Sequence, residues 1–182
     1  MAIILDPRTA NKEGIIRCII SRTGEYGGPG QLDRSALFKI KGETLEKFEI
    51  TEELKIRNSE VIIEKLKGEG GDFIGLEDPD IWIDEQNNLM HVYFTMPVKT
   101  VEKNKKKEKI IWNVNLGHAV GKNLDSLEMT ELTLLGSRDR SAKEVSIAPL
   151  NSKGFRYNLI EFSNKRGEWT YSTVQIAIAH DG

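Results

Sequence analysis

Two adjacent carboxylates and a proline, Glu77-Asp78-Pro79, sit within Gly75-Leu76-Glu77-Asp78-Pro79-Asp80-Ile81-Trp82-Ile83-Asp84, and Met90-His91-Val92-Tyr93-Phe94-Thr95 follows after a short polar stretch. Acid groups of this kind can trade protons with a substrate: a protonated carboxyl donates to a leaving oxygen while an ionised one stabilises or activates attack from the other face. Lys143-Glu144 sets a further acid beside a cation, and Asp6-Pro7 repeats the pairing of acid and proline. A charged turn that keeps a strand start soluble would use the same residue types. The chemistry therefore depends on what brings these groups together.

The two apolar runs flank Asp84-Glu85-Gln86-Asn87-Asn88 and predict a β-hairpin with acids at its open end. Pro79 removes a backbone donor and biases Asp78 towards an extended conformation. The same organisation recurs along the chain. Gly42-Glu43-Thr44-Leu45-Glu46-Lys47-Phe48-Glu49-Ile50-Thr51-Glu52 matches Gly121-Lys122-Asn123-Leu124-Asp125-Ser126-Leu127-Glu128-Met129-Thr130-Glu131 in register. Alternating runs precede both copies, Ser35 to Lys41 and Asn113 to Val120, and a third, Thr173 to His180, leads to Asp181-Gly182. The glycine is expected to mark the same turn each time. Asp6-Pro7, Asp78-Pro79 and Ala148-Pro149 each introduce a strand pair, the later strands being Ile15 to Arg22, Met90 to Thr95 and Arg156 to Phe162. In Thr51 to Lys67 the run Val61-Ile62-Ile63 favours strand over a helical turn.

Repeated four-stranded antiparallel units with little helix predict an all-β protein, a β-propeller in a single domain. Its blades span residues of about 1–70, 71–140 and 141–182, the third incomplete. An open fan leaves apolar sheet faces bare at about 25 cal/mol per Å², so further blades of a longer protein, or self-association, are expected to cover them. In a propeller the innermost strands converge on one axis, which would bring Asp6, Glu77, Asp78 and Lys143-Glu144 to a common pocket.

Composition excludes several other classes. Lys plus Arg is 26 against Asp plus Glu 28, a net charge of −2, which argues for neither nucleic acid nor an anionic membrane as partner. Met1-Ala2-Ile3-Ile4-Leu5 is too short for a signal sequence, no membrane span is evident, and the single Cys18 forms no internal disulfide, so the expected setting is cytoplasmic. Cys18 lies in Ile15-Ile16-Arg17-Cys18-Ile19-Ile20 as a core residue, not an activated thiol. His91 and His118 read as packing or surface residues, and neither zinc spacing nor an Asp-rich calcium loop is present; no metal or cofactor is expected. Gly68-Glu69-Gly70-Gly71-Asp72 reads as a rim loop, and the basic block Lys99 to Lys109, with Lys103 and Lys105-Lys106-Lys107, as a solvated hairpin loop without stacking rings. Trp82, Trp112 and Trp169 fill space between blades, with Trp82 the best candidate for a platform under a sugar ring.

The order of motifs resembles the five-bladed β-propeller glycosidases of glycoside hydrolase families 32, 43, 62, 68 and 130, with family 130, the mannoside phosphorylases and β-mannosidases, the nearest pattern for Gly75-Leu76-Glu77-Asp78-Pro79-Asp80. That family's signature reads Gly-Val-Glu-Asp-Pro-Arg; its later Lys-Asp, Phe-Pro and Gly-Lys-Tyr are similar to Lys143-Glu144, Ala148-Pro149 and Gly154 with Arg156-Tyr157, and its Tyr-Arg to Ser21-Arg22. The resemblance implies a glycosidase acting on a β-linked, mannose-containing oligosaccharide. Asp78 would be the proton donor, Arg22 and Lys143 would bind sugar or phosphate oxygens, and Asp6 and Glu144 would line the pocket. This chain carries Asp80 in place of the signature arginine, and Glu161-Phe162 where the phosphorylases have His-Arg. Without those cations water is the expected acceptor in place of phosphate. The same losses fit a carbohydrate-binding fragment without turnover, and a family 43-type arabinan or xylan hydrolase would use a glutamate acid in the third blade, where Glu144 stands.

Overall fold

Apolar and polar residues alternate with period two over most of the chain, and the strands they form associate into three antiparallel sheets. The computed structural model describes residues 2–28, 30–44, 47–104, 107–131, 135–136, 140–167 and 169–180. Leu45-Glu46 of the repeated unit, Lys105-Lys106 of the basic block and Asp181-Gly182 lie outside the described residues.

The first sheet is a meander of β1 (Ile3–Leu5), β2 (Glu13–Thr23), β3 (Leu32–Thr44) and β4 (Lys47–Glu53). A helix, α1 (Ser59–Lys67), leads to the second sheet, made of β5 (Asp72–Phe73), β6 (Glu77–Asp84), β7 (Leu89–Asn104), β8 (Lys107–Gly121) and β9 (Glu128–Met129). Within it β5 and β6 both pair with β7, which in turn pairs with β8, and β8 with β9. The third sheet is β10 (Arg140–Ser146), β11 (Phe155–Arg166) and β12 (Trp169–His180) in sequence order. Among the described residues the protein is therefore all-β with one short α-helix.

The predicted hairpin is present as β6 and β7. Asp84 closes its turn by accepting from the backbone N–H groups of Gln86 and Asn87 at 3.0 and 3.2 Å. The prolines do not play one role. Pro79 lies inside β6, Pro7 opens a 3-10 turn after β1, and Pro149 follows β10 in a loop.

The strand expected near Val61 is instead α1. Ile62, Ile63 and Leu66 form one helical stripe packed on the core, whereas Val61 is exposed. Three consecutive apolar residues carry no period of their own, and the stripe becomes visible only with Leu66 included. The repeated glycine also does a different job from the one expected. Neither Gly42 nor Gly121 has positive φ; a Cβ on Gly42 would stand 2.7 Å from the Phe48 ring, and one on Gly121 would stand 2.5 Å from the Ser126 carbonyl oxygen. Both glycines admit a close approach by the chain that folds back over them.

The second sheet is the middle layer. Along β7, Met90, Val92, Phe94 and Met96 meet Ile15 and Leu37 of the first sheet, with Ala119, Leu127 and Met129 completing that core. On the other face Tyr93 and Leu116 meet Ala142, Val145 and Phe162 of the third sheet. Burying a side chain such as Phe94 contributes about 2–3 kcal/mol, so the double-sided β7 is what joins the layers. The face of the third sheet turned away from β7 is apolar and exposed: Tyr157 pairs with Ile178 and Leu159 with Ile176 there.

Gly121→Ala is expected to destabilise the protein by about 1–3 kcal/mol in urea unfolding, because the backbone at Ser126 must move. Replacing the adjacent exposed Lys122 by alanine is expected to stay within about 0.5 kcal/mol of the parent. Equal effects would mean the glycine is not needed for close approach.

Candidate functional site

β6 of the second sheet and β10 of the third each carry a β-bulge, and each bulge holds an acid. In the β6–β7 ladder Glu77 pairs with Thr95 and Asp80 with Tyr93, so Asp78-Pro79 together oppose Phe94. In the β10–β11 ladder Ala142 pairs with Phe162 and Val145 with Ile160, so Lys143-Glu144 together oppose Glu161. A bulge re-aims side chains that a regular strand would alternate between faces. Two contacts tie the bulges together: the Thr95 hydroxyl donates to the Lys143 carbonyl, and Asp80 Oδ2 accepts from the Ile147 N–H at 3.0 Å.

Asp78 sits at φ 45°, in the left-handed region, instead of the extended conformation expected before Pro79. Such a backbone costs roughly 1–3 kcal/mol and persists only where its surroundings hold it. Arg17 of β2 supplies much of that hold. Its Nη1 donates to Asp78 Oδ1 at 2.9 Å, its Nη2 to Glu77 Oε1 at 2.7 Å, and its Nε to Ser35 Oγ at 3.1 Å. The Ser35 hydroxyl donates to the same Glu77 oxygen at 2.9 Å. The first sheet thus clamps the acids of the second.

Burial sets the electrostatics. It raises the Glu77 carboxyl pKa, with Arg17 and Ser35 acting against it and Asp78 with it. Asp80 is also raised by burial, against the pull of the Ile147 and Ile81 N–H groups. Glu144 is raised by burial first, then by the carboxylates of Asp78 and Glu161, while Lys143 and Arg17 oppose. Glu144 therefore holds its proton more tightly than an ordinary glutamate and faces a second acid, an arrangement suited to proton transfer.

Of the residues expected at the site, Glu77, Asp78, Asp80, Lys143 and Glu144 come together. Asp6 does not: it accepts from Arg8 and lies beside Asn88 and Lys122, at the end of β6 opposite Glu77. Arg22 pairs with Asp33 at 2.5 and 2.8 Å and stacks over Tyr26, near the far end of β2. Trp82 is buried, with the Arg156 guanidinium 3.7 Å over its ring, so it packs between the second and third sheets and offers no open platform. Arg17 was not expected. Its signal was a lone cation within Ile15-Ile16-Arg17-Cys18-Ile19-Ile20, which a strand packed between sheets tolerates only if the charge finds acids.

β7 and β8 also carry a histidine pair, His91 buried and His118 half-buried. His91 Nδ1 and His118 Nε2 are 3.0 Å apart, and His118 Nδ1 is 2.8 Å from Thr130 Oγ1. The Thr130 hydroxyl can donate to the His118 carbonyl at 3.3 Å, so a consistent chain has His118 Nδ1–H donating to Thr130 and His91 Nδ1–H donating to His118 Nε2. Both rings are then neutral. Burial, with His91 and Arg156 adding to it, pushes His118 down to about 4. Among the described residues no group of three or more His, Cys, Asp or Glu side chains is arranged to hold a metal ion.

Fold and cluster define an all-β protein of layered antiparallel meanders with one acidic site built across all three layers. No family model, curated protein or solved structure matches the chain.

Between pH 6.5 and about 4 the unfolded chain takes up a proton at His118 and the folded chain does not, so stability is full above that window and falls as the pH is lowered through it. The loss amounts to about 3 kcal/mol. Raised carboxyls such as Glu77 act in the opposite sense, and only a single-residue comparison isolates the histidine. Urea unfolding of His118→Gln at pH 7 and pH 4 is expected to show a shallower loss than the parent. The same slope in both would assign the pH dependence to other groups.

Proposed function

We propose that the chain is a glycoside hydrolase-like enzyme that cleaves a β-linked, mannose-containing oligosaccharide, and that its three sheets are successive blades of a β-propeller. The contacts of β6 support the propeller: it touches both β1 and β10, as innermost strands around one axis would. The observation that carries the chemistry is Glu144, a carboxyl with raised pKa beside Asp78.

These environments assign the roles. Asp78 Oδ1 accepts from Arg17, so it is the fixed carboxylate; Glu144, with its pKa raised and more open to solvent, is the proton donor. This exchanges the role that the family 130 resemblance gave Asp78 for the glutamate acid of the family 43-type pattern. As the glycosidic C–O bond breaks, Glu144 delivers its proton to the leaving oxygen. Asp78 stabilises the positive charge that develops at the anomeric carbon, and water adds its oxygen there. The released proton restores the acid. Lys143 and Arg17 orient hydroxyl groups.

Water is preferred over phosphate as acceptor on electrostatic grounds. With Glu144 carrying the proton, Glu77, Asp78 and Glu161 still outnumber Arg17 and Lys143, and a phosphate dianion among them would be repelled. A second reading, a carbohydrate-binding protein without turnover, is favoured by the way Arg17 spreads over both Glu77 and Asp78 and occupies oxygens that a substrate would use.

Assays of the purified chain on aryl glycosides and manno-oligosaccharides, with and without inorganic phosphate, test these roles. Glu144→Gln and Asp78→Asn are each expected to lower kcat/KM by roughly 10²–10⁴-fold. In the parent, kcat/KM is expected to fall as the pH rises through the raised Glu144 value, a limb absent from the Glu144→Gln variant. Full activity in Glu144→Gln removes it as the acid; products formed only with phosphate mean a phosphorylase; saturable binding with no turnover supports the second reading.

A further inference from the structure

We infer that the cleft between the start of β8 and the β11–β12 hairpin is a binding subsite for an acidic sugar unit, a carboxylate-bearing residue of the same oligosaccharide. The apolar layer between the second and third sheets ends at Leu116 and Phe162. Beyond it the cleft opens to about 530 Å³, within the range of small-molecule sites.

Its lining has the two components that sugar acids need. Trp112 and Ile110 offer apolar surface and are 41% and 53% exposed, unlike the covered Trp82. Lys109, Arg140 and Lys165 bring positive charge, and no carboxylate occurs among the described lining residues, although the chain as a whole is slightly acidic. Arg140 is held in position: its guanidinium lies 3.7 Å over the Phe162 ring and its Nη2 donates to Gln175 Oε1 at 2.6 Å. Lys109 stands opposite Glu102 in the β7–β8 ladder, and Lys165 of β11 is the cation that the substitution below removes. Asn164 adds an amide, held in place by its Nδ2 donating to Thr173 Oγ1 at 2.9 Å.

Register relates the cleft to the acids. Leu116 pairs with Thr95, which pairs with Glu77, and Trp112 lies further along β8 on the same side of that level. On β10, Ser141 of the cleft precedes Glu144 by about 10 Å of strand. A short oligosaccharide can therefore hold an acidic unit in the cleft with its scissile bond at Glu144. The link to cleavage rests on the function proposed above; binding in the cleft is measured without it.

The test is calorimetric titration of the full chain carrying Glu144→Gln with a tetrasaccharide of β-linked mannuronic acid and with its methyl ester. The acid form is expected to bind about tenfold more tightly than the ester, a preference that weakens at higher salt and disappears in Lys165→Gln. Trp112→Ala is expected to weaken both forms about tenfold and Trp112→Phe to retain binding, with circular dichroism confirming that each variant is folded. Equal binding of acid and ester, no binding of either, parent-like binding by Trp112→Ala or Lys165→Gln, or stronger binding of an oligothymidylate of equal charge overturns the inference. Turnover by the parent chain with no binding in the cleft would remove the subsite and leave the glycosidase standing. Binding without turnover by the parent would do the reverse.

Discussion

The structure depends on one guanidinium. Arg17 reaches from β2 to Ser35 of its own sheet and to two carboxylates of β6 in the second, where all three charged side chains are partly buried. Charges in such a place are stable only as a group, because each one alone would carry a desolvation cost of several kcal/mol. Arg17 thereby fixes the first sheet against β6 and keeps Glu77 hydrogen-bonded. It also steadies Asp78 in a backbone conformation that an aspartate before proline would otherwise leave.

The rest of the site follows from a lateral link of the opposite kind, made by neutral groups. Thr95 is the β7 partner of Glu77, and its hydroxyl meets the carbonyl of Lys143 in the next sheet. The bulge at Asp78-Pro79 and the bulge at Lys143-Glu144 are therefore set to the same height. Without a bulge, Lys143 and Glu144 would point to opposite faces of β10; with it, both oppose Glu161 and the acid comes under the influence of Asp78. Burial first, and then the neighbouring Asp78 and Glu161 carboxylates, raise the Glu144 pKa above that of an ordinary glutamate.

Layering supplies the rigidity behind that arrangement. β7 is apolar on one face and mixed on the other, where His91 and Tyr93 meet Trp82, His118 and the buried Arg156. A buried arginine over an indole, beside two neutral histidines, makes a polar layer held by ring stacking and by the His91–His118–Thr130 hydrogen bonds, with His91 Nε2 left buried without a partner. Among the described residues the first and third sheets each pack on the middle one, and the outer face of β11 and β12 is apolar and exposed.

The sequence by itself determined the strand content, the β6–β7 hairpin and its turn, the repeated meander, and the identity of four of the acids now found together with Lys143. These are local properties: period-two alternation, turn residues and a proline bracketed by carboxylates are read from neighbours along the chain. It did not disclose α1, because Val61-Ile62-Ile63 has no period until Leu66 is seen to share a face with it. Only the tertiary structure decided that Arg17 and not Arg22 meets the acids, that Asp6 lies at the other end of β6, and that Trp82 is covered. Each of those outcomes turns on register and sheet stacking. A shift of one residue in a ladder reverses which face a side chain occupies, and a contact between sheets joins positions whose separation along the chain carries no information about their distance in space.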